Sequence, residues 1–97
     1  KIHVVTELAR WIRVEALRGD KHAQFYMGLM SARGLGVQPD PAEAYFWFEL
    51  AAKQDVAPAV RGRELLAEQL TTDQVKQARD RAAQFKPMAL PAAPPRR

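Results

Sequence analysis

The sequence predicts an all-α protein of about five helices. Alanine is the commonest residue, at 17 of the 97 positions, whereas valine, isoleucine and threonine are few. Alanine has the highest helix propensity, and β-branched residues favour strands instead. Apolar residues also recur at intervals of three and four, and glycines and prolines fall between the periodic segments. These observations together favour helices joined by short turns.

The first helix is predicted over about residues 6–18. Thr6 can cap its amino end, and Gly19 can end it by taking a left-handed conformation. The predicted apolar face consists of residues four apart: Leu8, Ile12 and Ala16.

The second helix is predicted over about residues 21–33, between a capping Asp20 and a terminating Gly34. Its predicted buried stripe consists of Ala23, Met27 and Met30. The loop that follows, at residues 34–39, combines two glycines with a proline and suits a reversal of the chain.

The third helix has the clearest start signal, at Asp40. Pro41 suits the first helical turn, and we expect Glu43 to reach back and complete a capping box. The helix is predicted to run to about Gln54. Its predicted apolar face consists of Ala44, Trp47, Phe48, Ala51 and Ala52.

Two further helices are predicted in the second half of the chain. The fourth covers about residues 57–70, with Pro58 in its first turn. A second capping box, from Thr71 to Gln74, starts the fifth, which extends to about residue 85. The predicted apolar face of this last helix consists of Val75, Ala78, Ala82 and Phe85.

Residues 87–97 differ in composition from the rest. They hold four of the seven prolines and no helix signal, so we expect a disordered tail or a linker. Arg96 and Arg97 lie in this segment without an acid, and they supply half of the net charge of +4. The helical part, residues 1–86, therefore has an ordinary mixed-charge composition.

The helical part contains an internal repeat. A shift of 36 residues aligns Trp11 with Trp47, and it also aligns alanines in the first four helices. The aligned alanine pairs are Ala16 with Ala52 and Ala23 with Ala59. One whole helix–loop–helix unit therefore lies in the middle, with half a unit before it.

The motifs of this unit resemble a known family. They are Ala23-Gln24-Phe25-Tyr26-Met27-Gly28, Gly34-Leu35-Gly36-Val37, Asp40 with Glu43-Ala44, Trp47-Phe48 and Ala51-Ala52. Together they resemble the Sel-1-like repeat, a branch of the tetratricopeptide-like solenoids, over about residues 8–59. The resemblance implies a right-handed α/α solenoid fragment. It further implies a half repeat at about 1–20, a full repeat at about 21–56, and divergent closing helices at about 57–86.

Small residues inside the unit have a physical role under this interpretation. Gly28 lets a neighbouring helix approach closely, while Trp47 and Phe48 supply large apolar area.

Two positions depart from the family pattern. Ser31 replaces the usual aromatic, so we expect looser packing there. Asp55 replaces the usual glycine, so we expect the helix end to shift by a residue.

The resemblance also implies where a partner binds. In tetratricopeptide-like solenoids the first helix of each pair lines a concave groove, which here selects His22, Phe25, Leu29 and Arg33. Their spacing of 3, 4 and 4 places all four on one helix face. Two alternatives stay open: Phe25 and Leu29 can be ordinary core, and Arg33 can be solvated or paired with an acid.

Residues for catalysis or metal binding are lacking in the sequence. There is no cysteine for zinc or thiol chemistry, and His3 with Glu7 supplies only two ligands. No nucleophile is paired with a base. Glu64 and Glu68, and the arginine pairs at 61/63 and 79/81, are expected to be solvated. We therefore expect no enzymatic activity, no metal and no cofactor.

The resemblance implies a non-enzymatic adaptor or scaffold that binds another protein or peptide. About one and a half repeats are too few for a stable solenoid, so we expect the C-terminal end of a longer array, or self-association through exposed repeat faces. The alternatives are a structural end cap of a larger multidomain protein and, less favoured, a basic helical nucleic-acid binder. Dispersed Lys and Arg argue against the latter.

The longest run of large apolar residues is Tyr45–Phe48, so we expect no membrane span. Under the resemblance we expect a bacterial protein, and bacterial family members often work in the periplasm. The composition leaves both periplasm and cytoplasm open.

Overall fold

The computed structural model describes residues 2–89, with side chains from Val4 onward. This part of the chain contains five helices and no strand. The helices are α1 (Ile2–Leu17), α2 (Lys21–Arg33), α3 (Pro41–Lys53), α4 (Ala57–Ala67) and α5 (Thr72–Ala83). The predicted all-α helical-repeat fold is confirmed.

Helix α3 lies at the centre of the molecule. Helices α2, α4 and α5 all pack against it, whereas α1 packs mainly on α2. Eight consecutive residues, Ala44–Ala51, are buried, and Trp47 is completely inaccessible to solvent. A helix buried on all sides needs neighbours on several sides, and these three helices supply them.

The predicted helix starts depend on side-chain caps, and three of these caps are present. Asp20 Oδ1 accepts from the Ala23 N–H at 2.8 Å, and Asp40 Oδ1 accepts from the Glu43 N–H at 3.1 Å. At α5 the predicted capping box is complete, with reciprocal bonds of 2.9 and 3.0 Å. Local sequence therefore fixes where α2, α3 and α5 begin.

Glu43 does not complete a capping box, contrary to the prediction. Its carboxylate instead accepts two hydrogen bonds from the Arg81 guanidinium, at 2.7 and 3.2 Å. The guanidinium carbon of Arg81 also lies 3.8 Å from the centre of the Phe46 ring. The Asp40 N–H that a capping box would use donates instead to the Ser31 carbonyl at 2.8 Å, and the two charge-assisted bonds from Arg81 hold the Glu43 carboxylate between α3 and α5.

The boundaries and buried face of α1 also differ from the prediction. The helix begins at Ile2, so Thr6 lies inside it and is not a cap. Leu8 is exposed, and the fully buried positions are Ala9 and Ala16. The loop after α2 packs closely on Ala9. A Cβ built on Gly36 would lie only 2.9 Å from the Ala9 Cβ, so this contact leaves no room for larger side chains. At the other end of the chain, α4 stops at Ala67, three residues before the predicted end.

The 36-residue repeat is preserved in the backbone. Helices α1 and α3 end 36 residues apart, and α2 and α4 begin 36 residues apart. Gly19 and Asp55, which are also 36 apart, both have positive φ angles, of 103° and 69°. Asp55 thus adopts the left-handed conformation of the glycine, and the expected shift of the helix end is wrong.

The Phe48 ring lies between two glycines. A Cβ built on Gly28 of α2 would lie 2.5 Å from the ring, and one built on Gly62 of α4 would lie 2.8 Å from it. The close approach predicted at Gly28 is confirmed, and the group that approaches is this ring. Ser31 is buried, and its carbonyl accepts from the Asp40 N–H at 2.8 Å. The looser packing expected there stays a prediction.

After α5 the chain returns to the end of α1. The Met88 N–H donates to the Leu17 carbonyl at 2.7 Å, and Pro87 lies against Gly19. Residues 90–97, which make up most of the predicted disordered tail, lie outside the described residues. The disorder of the tail stays a prediction.

Candidate protein-interaction surface

The four predicted groove residues, which we term the α2 face, are His22, Phe25, Leu29 and Arg33. The two outer residues are exposed, and the two apolar residues between them are half-buried against the core. The Phe25 ring lies 5.7 Å from the rings of both Phe48 and Tyr26. Phe25 and Leu29 therefore contribute to the core while keeping part of their surface accessible. Their role in binding stays a prediction.

A cleft between α1 and α2 extends the α2 face. We term it the α1–α2 cleft, and its lining is Trp11, Ile12, Glu15, Asp20, His22, Ala23 and Tyr26. His22 is common to the α2 face and the cleft. The side chains of Trp11 and Tyr26 are 71% and 51% exposed, so two large aromatic rings border this cleft in contact with solvent.

Sequence reasoning missed both aromatic residues. The 36-residue alignment pairs Trp11 with Trp47, and a tryptophan in a repeat is ordinarily core. In the described part of the chain Trp11 is exposed because α1 packs mainly on α2, whereas α2, α4 and α5 all pack on α3. Tyr26 lies four residues after the exposed His22, so the two side chains share one side of α2.

The outer surface of α1 forms a second depression. It is lined by Glu7, Arg10, Trp11, Val14, Glu15 and Arg18. Two ion pairs border it: Arg10 with Glu7 at 3.6 Å, and Arg18 with Glu15 at 3.3 Å.

Charged groups around α3 have structural contacts instead. Glu49 is buried and pairs with Arg63 at 2.9 Å, so Arg63 is not the solvated residue that the sequence suggested. Arg81 is exposed, as the sequence suggested, but it is also bound to Glu43 and lies over Phe46. Burial of the Tyr45 hydroxyl, helped by the nearby Glu49 carboxylate, raises the pKa of Tyr45, and Arg79 and Arg63 oppose this shift.

The described residues contain no group of three or more His, Cys, Asp or Glu side chains arranged to hold a metal ion. The His3 side chain is outside the described part, so the His3–Glu7 pair considered in the sequence is not seen. None of the five described helices combines the length and apolar character needed to cross a membrane.

Comparisons with known proteins identify the repeat. The family model described as "Sel1 repeat" matches residues 21–56, which comprise α2, the following loop, α3 and the turn after it. A curated relative, chitin synthase regulatory factor 3 from Schizosaccharomyces pombe, is 36% identical over 58 residues. The match covers 60% of this chain and 6% of that protein, so the chain corresponds to a small part of it. No solved structure matches the chain. The resemblance seen in the sequence is confirmed over residues 21–56, which match the Sel1 repeat model and form α2, a loop and α3 of an all-α fold.

Proposed function

We propose that this protein is a non-enzymatic adaptor that binds another protein or peptide through the α2 face and the adjoining α1–α2 cleft. Sel1 repeats generally mediate protein–protein interaction and are generally non-enzymatic, which supports the class of function. The adaptor role, the binding residues and a place at the C-terminal end of a longer array are parts of the proposal.

The observation that carries the proposal is the exposure of Trp11 and Tyr26 at one cleft. Exposing two aromatic rings to water is costly, and aromatic residues are enriched where binding energy is concentrated in interfaces. His22 adds a hydrogen-bonding group to the cleft. The exposed Arg33 lies at the far end of the α2 face, where it can meet an acidic group of a partner.

The yeast relative is consistent with this class of function. Its name describes a regulatory factor for chitin synthase, which is a role that one protein can perform by binding another. We do not extend that partner to this chain, because the match covers 6% of the relative. The fission-yeast source also gives no support to the bacterial origin expected from the sequence, which stays a proposal together with the compartment.

The test is a peptide library selected on the immobilised protein, followed by measurement of Kd for the selected peptides. We expect Tyr26→Ala to raise Kd at least tenfold, because truncation of an interface aromatic costs about 1.4 kcal/mol or more. Lys76→Ala, at an exposed position of α5, is the matched control and should leave Kd unchanged. Amide shifts in NMR spectra should map to residues 20–33 and to residues 11–15 of α1, which line the cleft. Selected peptides that shift α5 residues, and that bind the Tyr26 variant normally, would contradict the proposal.

A further inference from the structure

We propose that a short segment after α5 controls how tightly the α2 face binds its partner. The segment consists of residues 84–89, which we term the C-terminal strap, and it acts by holding the turn between α1 and α2 in its observed conformation. The inference rests on the proposed function, because it concerns regulation of the α2 face, but the strap itself lies outside both that face and the α1–α2 cleft.

The strap crosses from the end of α5 to the end of α1. The Met88 N–H donates to the Leu17 carbonyl at 2.7 Å, which gives the last residue of α1 a hydrogen-bond partner. The Pro87 ring packs on Gly19, since a Cβ built on that glycine would lie 3.4 Å from two carbons of the ring. The strap therefore contacts both the end of α1 and the turn that leads into α2.

The turn between α1 and α2 is held by three separate parts of the chain. Gly19 has a φ angle of 103°, and glycine has so much conformational freedom that outside contacts must select this conformation. The Gly19 carbonyl accepts from the Gln54 Nε2 at 2.9 Å, at the end of α3. Asp20 caps α2 by accepting from the Ala23 N–H at 2.8 Å. These two bonds and the strap together fix the turn.

A buried glutamine connects the same turn to the body of α2. The Gln24 Nε2 donates to the Ala16 carbonyl of α1 at 3.2 Å, and the Gln24 Oε1 accepts from the Gln54 Nε2 at 2.9 Å. Gln24 is 1% exposed, so loss of either partner would leave a buried polar group without a hydrogen bond. The end of α1, the start of α2 and the end of α3 are therefore coupled through one hydrogen-bond network.

The turn sets the position of the first residues of α2, where the α2 face begins. His22 belongs to that face and lies two residues after Asp20. An N-cap fixes the first turn of a helix, so a turn that loses its contacts leaves His22 less ordered. A partner must then order these residues as it binds, which lowers its affinity. Docking of the strap therefore favours binding at the α2 face.

The contacts of the strap are few, which suits an element that can be released. Five of its six residues are exposed, and the sixth, Phe85, is half-buried with its ring centre 6.3 Å from that of Phe46. A groove of about 300 Å³ lies alongside it, with Leu50, Ala82 and Pro87 in its lining. Segments with few buried contacts open at low free energy. A docked and a released state are therefore both accessible, and they differ in how firmly the turn is held.

The experiment compares two substitutions at Met88 in the whole chain. Met88→Pro removes the N–H that bonds to the Leu17 carbonyl, whereas Met88→Ala keeps this N–H and truncates only the side chain. We expect Met88→Pro to raise Kd for the peptides selected on wild type by about fivefold, the effect typical of a lost helix cap. It should also speed amide hydrogen exchange at residues 18–23. Met88→Ala should match wild type in both measurements.

Amides of α3 are the internal control, because this helix is enclosed by its neighbours and should exchange equally slowly in all three proteins. Faster exchange throughout α3 in Met88→Pro would indicate a general loss of stability and would overturn the inference. So would a Met88→Ala variant that behaves like Met88→Pro, because the side chain and not the hydrogen bond would then be responsible. Circular dichroism checks that both variants are folded.

The outcomes separate this inference from the proposed function. If Tyr26→Ala weakens peptide binding while Met88→Pro leaves Kd unchanged, the proposed function stands and control by the strap is wrong. If Met88→Pro exchanges like wild type at residues 18–23, the strap does not hold the turn, whatever the peptides do. If wild type selects no peptide that binds the α2 face, the proposed function and the inference both fail.

Discussion

Helices α1 and α3 hold equivalent positions in the repeat, yet their tryptophans have opposite environments. Trp11 and Trp47 are 36 residues apart, and they are 71% and 0% exposed. Three helices pack against α3, whereas α1 packs mainly on α2. The same residue type at the same repeat position is core in one helix and surface in the other. Neighbouring helices, and not local sequence, decide between these outcomes.

The two environments also differ in what surrounds each ring. Trp47 has the Phe46 ring 4.9 Å away in an edge-on arrangement and lies within the main hydrophobic cluster. Trp11 shares its surface with two glutamates and two arginines. The first arrangement stabilises the fold, and the second is suited to contact with another molecule.

The largest expected effect separates the two tryptophans directly. Trp47→Ala should lower the free energy of unfolding by about 3–5 kcal/mol, because it leaves a large cavity in the core. Trp11→Ala should change it by less than about 0.5 kcal/mol at protein concentrations where the chain is monomeric. Urea denaturation of both variants measures the difference. Equal losses of unfolding free energy in the two variants would contradict the different environments of Trp11 and Trp47.

A smaller effect tests how tightly α3 is enclosed. Replacing a helical glycine by alanine ordinarily stabilises a helix by about 1 kcal/mol. Gly28→Ala should instead cost about 1–3 kcal/mol, because the added Cβ would meet the Phe48 ring and Gly62 closes the other side.

The control for this substitution is the double variant with Phe48→Leu, whose smaller side chain should relieve most of the added strain. The double variant should then be destabilised by much less than the sum of the two single variants, which is a large favourable coupling free energy. A stabilised Gly28 variant would mean that the packing around α3 is looser than the contacts indicate.

The smallest effect compares the turns that follow α1 and α3. Asp55→Gly should stabilise the protein by about 0.5 kcal/mol, because the left-handed conformation is strained for aspartate and natural for glycine. The reciprocal change, Gly19→Asp, should destabilise by at least that amount, since its φ of 103° lies further from the conformations that aspartate tolerates. Thermal melts detect both. A loss of stability in the Asp55 variant would contradict the assigned role of this turn.

The sequence predicted those features that depend on adjacent residues. Capping by Asp20, Asp40 and Thr71 located three helix starts, because a cap needs only a side chain and the next three amides. The repeat spacing likewise placed Trp47 and Phe48 in the core. These signals are local or periodic, so they can be recognised without coordinates.

The features that sequence reasoning missed depend on distant parts of the chain. The contact of Glu43 with Arg81 joins residues 38 apart, and that of Glu49 with Arg63 joins neighbouring helices. Exposure of Trp11 depends on which helices surround α1. Of the candidate surface, the α2 face was predicted, whereas the aromatic border of the α1–α2 cleft required the packed structure.

Acrylamide quenching of tryptophan fluorescence tests the central contrast most directly. Two single-tryptophan variants are compared at low micromolar concentration: Trp47→Phe retains only Trp11, and Trp11→Phe retains only Trp47. The Trp47→Phe change keeps an aromatic ring and loses no hydrogen bond, since the Trp47 Nε1 has no partner. We expect Trp11 to be quenched almost as efficiently as free tryptophan and Trp47 to be strongly protected. Similar quenching of the two residues would contradict the account.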